Sequence, residues 1–251
     1  MAHKENGHTK NLSNLKKLII VVTSFGTKYA PRIDTIQIAA LQALQAKVKE
    51  SMDKANETEV AYHKAVSIRR AAYVAGRQTI TSVICMLRAT DCEDEVKEIA
   101  SALVRKLRGS HLRKKAVVKS ASVTASGKTL KKATAASKTY NQRGFVDELR
   151  YINKLLKLIR TIPQYQPLEE KVKINTVMAM YNDLLVKNDA VISATVAYNT
   201  AKIHRYNICY ISETGMVDIT YAVKNYVKSV YGYTSLQYKE CTKLTFKKIP
   251  L

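Results

Sequence analysis

Apolar side chains recur at helical spacing along most of this chain, in stretches that contain no helix breaker. No proline or glycine occurs between Arg32 and Ala75, and none occurs between Leu168 and Ser212. These stretches predict two uninterrupted helices of about 40 residues each, with a length on the order of 60 Å. The polar stretch from Met52 to Glu59 leaves an alternative, in which the first long helix is broken into a hairpin of two shorter helices.

A shorter helix is predicted ahead of each long one, at 12–24 and at 146–161. Pro31 and Pro167 come just before the long helices, where the missing N–H of proline does no harm. Asp34 and the pair 169–170 would then place carboxylates in the first turns, where they complement the helix dipole.

Return helices are predicted after the long ones, at 78–89 and 91–107 in the first half of the chain and at 217–230 in the second half. Near the end of the chain, apolar and polar residues alternate between Thr242 and Lys247. This alternation favours a short edge strand there.

Two motifs occur twice in the chain. Tyr-x-Pro begins at Tyr29 and again at Tyr165, and Ala-Tyr-x-x-Ala-x-x-x-Arg begins at Ala61 and again at Ala197. Both pairs are separated by 136 positions, and a constant offset of this kind indicates an internal duplication. The sequence therefore predicts an all-α fold in which a helical-bundle unit with one long helix occurs twice, the copies being related by a pseudo-two-fold axis.

The charge is distributed unevenly over the predicted segments, which are a polar tail at 1–11, repeats at 12–109 and 144–251, and a connector at 110–143. Of the net charge of +22, residues 105–143 carry +12, with twelve Lys or Arg and no acidic residue. The residues before and after this stretch carry +4 and +6. Because the connector has little apolar surface to bury, we predict that it is flexible.

So many like charges repel each other unless an anion neutralises them. We therefore expect a non-enzymatic protein that binds nucleic acid through sequence-independent phosphate contacts. The candidate contact residues are all in the connector: Arg113, Lys114, Lys115, Lys119, Lys128, Lys131, Lys132 and Lys138. The alternative is a structural or self-assembling helical protein, in which the long helices form homo-oligomer interfaces and the connector is a tether or docks on an acidic protein partner.

Two short patterns are compatible with other chemistry. Ser-Gly-Lys-Thr from Ser126 resembles the end of a phosphate-binding loop, but Ser122 stands where that motif requires glycine. Glu59 and His63 share a helix face, as metal ligands do, but we interpret them as a surface pair. The sequence thus predicts no catalytic residues, no cofactor and no metal.

Two aromatic patterns also have competing interpretations. Tyr62 and Arg69 lie on one face of the first long helix, and their counterparts keep this spacing in the second repeat. We interpret both pairs as helix packing rather than as base stacking with a phosphate contact. The segment from Tyr221 to Tyr233, followed by Tyr238, interleaves rings with lysines as single-strand binders do, but amphipathic helices with half-buried tyrosines fit better.

The cysteine spacing and the hydropathy of the chain indicate in which cellular compartment the protein is expected. No CxxC pair occurs, so we predict buried, reduced thiols at Cys85, Cys92, Cys209 and Cys241. The apolar run 18–22 is too short for a signal peptide or a membrane span. We therefore expect no integral membrane insertion and a cytoplasmic location.

With its Tyr-x-Pro motif, its Ala-Tyr-x-x-Ala-x-x-x-Arg motif and its basic connector, the chain resembles a set of duplicated all-α proteins of similar length from Bacteroidota-type bacteria. The resemblance extends from about Leu12 to Phe246. It implies a bacterial, cytoplasmic all-α protein. Since no activity is established for that set, it implies no functional residues.

Overall fold

The fold is known from a computed structural model that describes residues 2–108 and 144–249. The described residues form helices joined by turns and loops, without a β-strand. The prediction of an all-α protein is therefore confirmed. The helices are α1 (Ala2–Ser24), α2 (Ile38–Ala89), α3 (Asp94–Arg108), α4 (Phe145–Arg160), α5 (Ile174–Tyr210), α6 (Met216–Tyr231) and α7 (Leu236–Lys243).

The two long helices are α2 with 52 residues and α5 with 37 residues. At the usual rise per residue they are about 78 Å and about 55 Å long. Helix α2 runs without a break through Met52 to Glu59, so the hairpin alternative is wrong.

The separate return helix predicted at 78–89 is also wrong, because these residues are the C-terminal part of α2. Gly76 does not end the helix. It is buried, and a Cβ atom there would lie 3.4 Å from Cδ1 of Leu184 on α5. The glycine therefore allows a close approach of two helices rather than a turn.

The long helices begin later than the prolines predict. A 3₁₀ turn, Asp34–Ile36 before α2 and Glu170–Val172 before α5, separates each proline from its helix. Asp34 and Glu170 therefore lie in these turns and Glu169 directly precedes the second one, so none of them is in the first turn of a long helix, which corrects the prediction. In both places the turn and the helix start recur at the offset of 136 residues.

The same hydrogen bond holds both turns. The hydroxyl of Tyr29 donates to the carbonyl oxygen of Ile36 at 2.7 Å, and the hydroxyl of Tyr165 donates to that of Val172 at 2.9 Å. Both tyrosine rings are buried. A side-chain hydroxyl thus fixes the extra turn. The position of a proline does not indicate this contact, so the helix starts were predicted too early.

Helix α1 begins well before the predicted start at Leu12. The residues that precede this position are polar, but His8 and Asn11 are buried. Nδ1 of His8 lies 2.6 Å from the hydroxyl of Tyr210, and the Asn11 amide donates to the same oxygen at 3.3 Å. Because polar side chains fill this part of the core, apolar periodicity does not reveal it.

The chain divides into two compact units. The terminal unit comprises Met1–Val66 and Ala190–Leu251, and the central unit comprises Ser67–Asp189. Each unit combines segments from both predicted repeats, since each contains part of α2 and part of α5. Each also has its own apolar core, with Leu15, Leu41 and Met216 in the terminal unit and Ile80 and Ile152 in the central unit.

The chain after α7 has no regular secondary structure through residue 249, so the edge strand predicted between Thr242 and Lys247 is wrong. The Asn11 side chain donates to the carbonyl oxygen of Lys247 at 2.8 Å and accepts from its N–H at 3.2 Å. Asn14 donates to the carbonyl oxygen of Thr245 at 2.7 Å, and the ring of Phe246 is buried. Amide side chains of α1 therefore take the place that a neighbouring strand would have.

Candidate nucleic-acid interface

The eight candidate residues of the connector, from Arg113 to Lys138, lie outside the described residues, and so does the Ser-Gly-Lys-Thr pattern at Ser126. The structure describes the two helices that border the connector. Helix α3 ends at Arg108, and α4 begins at Phe145. The surface of these helices is therefore where the charge of the connector continues into a folded unit.

Helix α4 carries a basic stripe on its exposed face. Arg150, Lys154 and Lys157 are spaced by four and three residues and are all exposed, so they lie along one side of the helix. The opposite side is buried in the core of the central unit through residues such as Ile152 and Ile159. The sequence analysis missed this stripe, although lysines in register opposite an apolar face could have indicated it.

Arg150 of this stripe pairs with a carboxylate. Nη2 of Arg150 is 3.1 Å from Oδ1 of Asp147, and both side chains are about half exposed. Exposed pairs of this kind are weak and are screened by salt. Lys154 and Lys157 extend the basic surface along the helix beyond this pair.

A second basic surface combines lysine with the exposed ring of Tyr233 and the half-buried ring of Tyr238 in the terminal unit. Nζ of Lys228 lies 5.3 Å from the ring centre of Tyr233 and 6.0 Å from that of Tyr238. The two rings are 5.6 Å apart and inclined by 44°. Lys239 and Lys243 are exposed on α7, next to Tyr238 in the chain.

The structure thus divides the tyrosine-rich segment into two parts. Tyr221 donates to the carbonyl oxygen of Phe246 at 3.3 Å, and the buried ammonium of Lys224 donates to that of Leu244 at 2.5 Å. Burial lowers the pKa of Lys224. These side chains hold the C-terminal segment, as the packing interpretation predicts, whereas Tyr233 is 69% exposed.

The repeated Tyr–Arg motif is part of the packing. The rings of Tyr62 and Tyr198 stack, with centres 6.0 Å apart and planes inclined by 16°. Arg205 is buried in the terminal unit, and the guanidinium of Arg69 lies 4.0 Å from the ring centre of Phe145 in the central unit. The packing interpretation of this motif therefore agrees with the structure.

Glu59 and His63 form a surface pair, with Oε1 and Nε2 3.7 Å apart and both side chains more than one third exposed. Within residues 2–108 and 144–249, no three His, Cys, Asp or Glu side chains are grouped as metal ligands would be. The interpretation of Glu59 and His63 as a surface pair therefore agrees with the structure.

An open groove of about 1230 Å³ lies between α2 and α3 in the central unit. Arg88 and Lys97 line it together with Glu98, so its charge is mixed. Cys85 also lines this groove and is exposed, and Cys92 is half-buried, so the prediction that every thiol is buried is wrong for these two. Cys209 and Cys241 are buried as predicted, and burial raises the pKa of each thiol to about 11.

Large apolar side chains are exposed on both long helices in the terminal unit. Val60 on α2 is 68% exposed and Val196 on α5 is 60% exposed, and these two valines are separated by the repeat offset of 136. Ile192 and Ile203 are exposed on α5 as well. We call these four residues the apolar patch; the sequence analysis did not single them out, because apolar residues at helical spacing are usually buried.

No helix in the described part of the chain is long and apolar enough to span a bilayer. Comparisons of the chain with protein-family models, with curated protein sequences and with solved structures gave no match.

Proposed function

We propose that this protein is a non-enzymatic nucleic-acid binder that makes sequence-independent contacts with phosphate groups. The observation that carries the proposal is the charge of +12 on residues 105–143, which contain no acidic residue. The exposed stripe of Arg150, Lys154 and Lys157 supports it, because it adds basic groups to the first helix after the connector. In this function the protein acts in the cytoplasm, as expected from the sequence.

The physical basis is the release of counterions. Each phosphate that a lysine or arginine neutralises releases condensed cations from the nucleic acid, so affinity falls as salt increases. On duplex DNA the slope of log affinity against log salt changes by about 0.9 per phosphate contact. A charge-dependent interface can therefore be assigned to particular residues by removing their charges.

The test compares two variants that each lose six positive charges. In the connector variant, glutamine replaces six basic residues: Arg113, Lys114, Lys115, Lys128, Lys131 and Lys132. In the control variant, glutamine replaces six exposed lysines of the terminal unit: Lys16, Lys17, Lys28, Lys47, Lys49 and Lys64. Both proteins have the same net charge, so only the location of the charges differs.

We expect the connector variant to bind an arbitrary duplex more weakly, with a salt slope reduced by up to about five. The control variant should keep most of the slope. Binding is measured by fluorescence anisotropy at several salt concentrations, and thermal melts check that each variant folds. Equal slopes for the connector variant and the unmodified protein would refute the proposal.

A second function, self-assembly, is favoured by the apolar patch. Val60, Ile192, Val196 and Ile203 expose large side chains on the long helices, and Ile192, Val196 and Ile203 follow helical spacing along one side of α5. Exposed apolar side chains that share a helix face can form a protein interface. If the patch joins copies of the chain, sedimentation velocity should show a concentration-dependent oligomer. Val60→Asp with Val196→Asp should shift it to the monomer, and a monomer at every concentration for the unmodified protein would rule this function out.

We also infer that the chain arose by duplication of one helical unit. This inference is supported by the identical spacing of the two 3₁₀ turns and long-helix starts and by the matching hydrogen bonds of Tyr29 and Tyr165. The stacking of Tyr62 on Tyr198, which occupy equivalent positions, fits a two-fold relation between the copies. The pseudo-two-fold axis itself stays a prediction.

A further inference from the structure

We propose that Tyr233, Lys228 and Tyr238 form a stacking site for an unpaired nucleobase, so that the protein prefers single-stranded to double-stranded nucleic acid. The inference rests on the proposed nucleic-acid function and adds to it a second binding site, in the terminal unit, with a different chemistry. Phosphate contacts do not distinguish unpaired bases from paired ones, but a ring that stacks on a base does.

The exposure of Tyr233 is the first reason. The residue is 69% exposed, whereas Tyr29, Tyr73, Tyr165 and Tyr210 are buried and take part in hydrogen bonds through their hydroxyl groups. These four rings contribute to the cores of their units. Tyr233 is not part of either core, so its ring is accessible to a ligand although Lys228 and Tyr238 lie beside it.

The backbone around Tyr233 is held in place, which is the second reason. Helix α6 ends at Tyr231, and Gly232, which follows it, has a φ of +86°, a value that favours glycine. The Gly232 N–H donates to the carbonyl oxygen of Lys228 at 2.9 Å, and the Ser235 hydroxyl donates to the carbonyl oxygen of Gly232 at 2.8 Å. Ser235 also caps α7 by accepting from the N–H of Tyr238 at 3.1 Å. The turn therefore fixes the backbone position from which Tyr233 projects before any ligand binds.

The charges around the rings are the third reason. Nζ of Lys228 lies within reach of both rings, and Lys239 and Lys243 are exposed one helical turn apart on α7. Helix α7 contains one acidic residue, Glu240, against the two lysines, so the net charge of this helix is positive. A base on the ring of Tyr233 would bring its flanking phosphates close to these ammonium groups.

An unpaired base fits this site better than a base pair does. Stacking on a protein ring requires access to the face of the base, and in a duplex that face is covered by neighbouring pairs. Every base has such a face, so the site selects strandedness and not sequence. The site thus matches the sequence-independent contacts proposed for the connector.

The experiment uses the full chain and three labelled ligands of equal length: a single strand of deoxythymidine, an abasic single strand with the same phosphates, and a duplex. Tyr233→Leu removes the ring and keeps an apolar side chain, and Tyr233→Phe, the matched control, keeps a ring that can stack. Affinities are measured by anisotropy at two salt concentrations, and circular dichroism confirms that both variants fold.

We expect Tyr233→Leu to weaken binding of the deoxythymidine strand about five- to tenfold, at the lower end of the contribution of one stacked base. Binding of the duplex and of the abasic strand should be unchanged, and so should the salt slope. Tyr233→Phe should bind all three ligands like the unmodified protein.

Three results would overturn the stacking site: equal binding of the deoxythymidine strand by Tyr233→Leu and the unmodified protein, an equal loss on the duplex, or an equal loss with Tyr233→Phe. If the first of these occurs while the connector variant still loses its salt slope, the stacking site fails and the phosphate-binding function stands. If the unmodified protein binds none of the three ligands, both proposals fail.

Discussion

The hydroxyl groups of Tyr29 and Tyr165 should contribute about equally to stability, because each makes the same hydrogen bond in its own unit. The rings are only 5% and 3% exposed, and the accepting carbonyl groups belong to residues that are 1% and 5% exposed. Replacing either tyrosine with phenylalanine removes the hydroxyl donor and leaves the buried carbonyl oxygen of Ile36 or Val172 without this hydrogen bond. Such a loss costs about 1–3 kcal/mol in the free energy of unfolding.

The effect of the two substitutions should be additive, since the two sites share no partner. Urea unfolding followed by far-UV circular dichroism measures both variants and the double variant. Tyr233→Phe is the control, because that ring is exposed and the substitution should change stability by less than about 0.5 kcal/mol. A loss at one tyrosine without a loss at the other would contradict the equivalence of the two turns.

The same two groups predict a pH dependence. Burial raises the pKa of Tyr165 to about 12 and also raises the pKa of Tyr29, whereas an unfolded tyrosine has a pKa of about 10. Between these values the folded state holds the phenolic protons more tightly, so the free energy of unfolding falls as pH rises from about 10 to about 12. The stability difference between the unmodified protein and the double phenylalanine variant should therefore narrow in this window. A constant difference between about pH 8 and about pH 11.5 would refute this reasoning.

Three further predictions concern single side chains. Arg77→Ala should destabilise the central unit by about 2–3 kcal/mol in urea unfolding. The substitution leaves the buried carboxylate of Glu148 without the guanidinium that donates to it at 3.0 Å. The loss is limited because the side chain of Arg77 is nearly half exposed. Gly232→Ala should cost about 1–3 kcal/mol because of its positive φ, whereas Gly144→Ala, at a φ of −59°, should change stability by less than about 1 kcal/mol. Asn11→Ala should speed removal of the C-terminal segment by trypsin, measured by mass spectrometry, because that side chain pairs with the backbone of this segment.

The helices were largely predictable from the sequence because their signals are local. The helix predicted at 146–161 is α4, and the one predicted at 217–230 is α6, each within one or two residues. The errors arose where a distant contact overrides a local rule. Gly76 lies inside α2 because it packs against Leu184, and α1 extends to polar residues because Asn11 pairs with the far end of the chain.

The candidate surfaces were harder to predict, because exposure depends on how segments pack. Tyr221 and Tyr233 have similar sequence surroundings, with a lysine a few residues away. In the structure the hydroxyl of Tyr221 holds the C-terminal segment, and the turn at Gly232 directs Tyr233 outward. Helical spacing alone does not show that Tyr221 contacts the C-terminal segment and Tyr233 points outward, because the difference depends on where α6 ends.

The two proposed functions are linked through charge. Copies of a chain with a net charge of +22 repel each other, and this repulsion opposes contact through the apolar patch. A bound polyanion neutralises part of the charge, so it should promote self-association, and by linkage self-association should strengthen anion binding by the same factor. Sedimentation velocity with and without an oligonucleotide too short to bridge two copies tests this linkage. If the oligomer forms equally in both cases, the apolar patch acts independently of the basic surfaces.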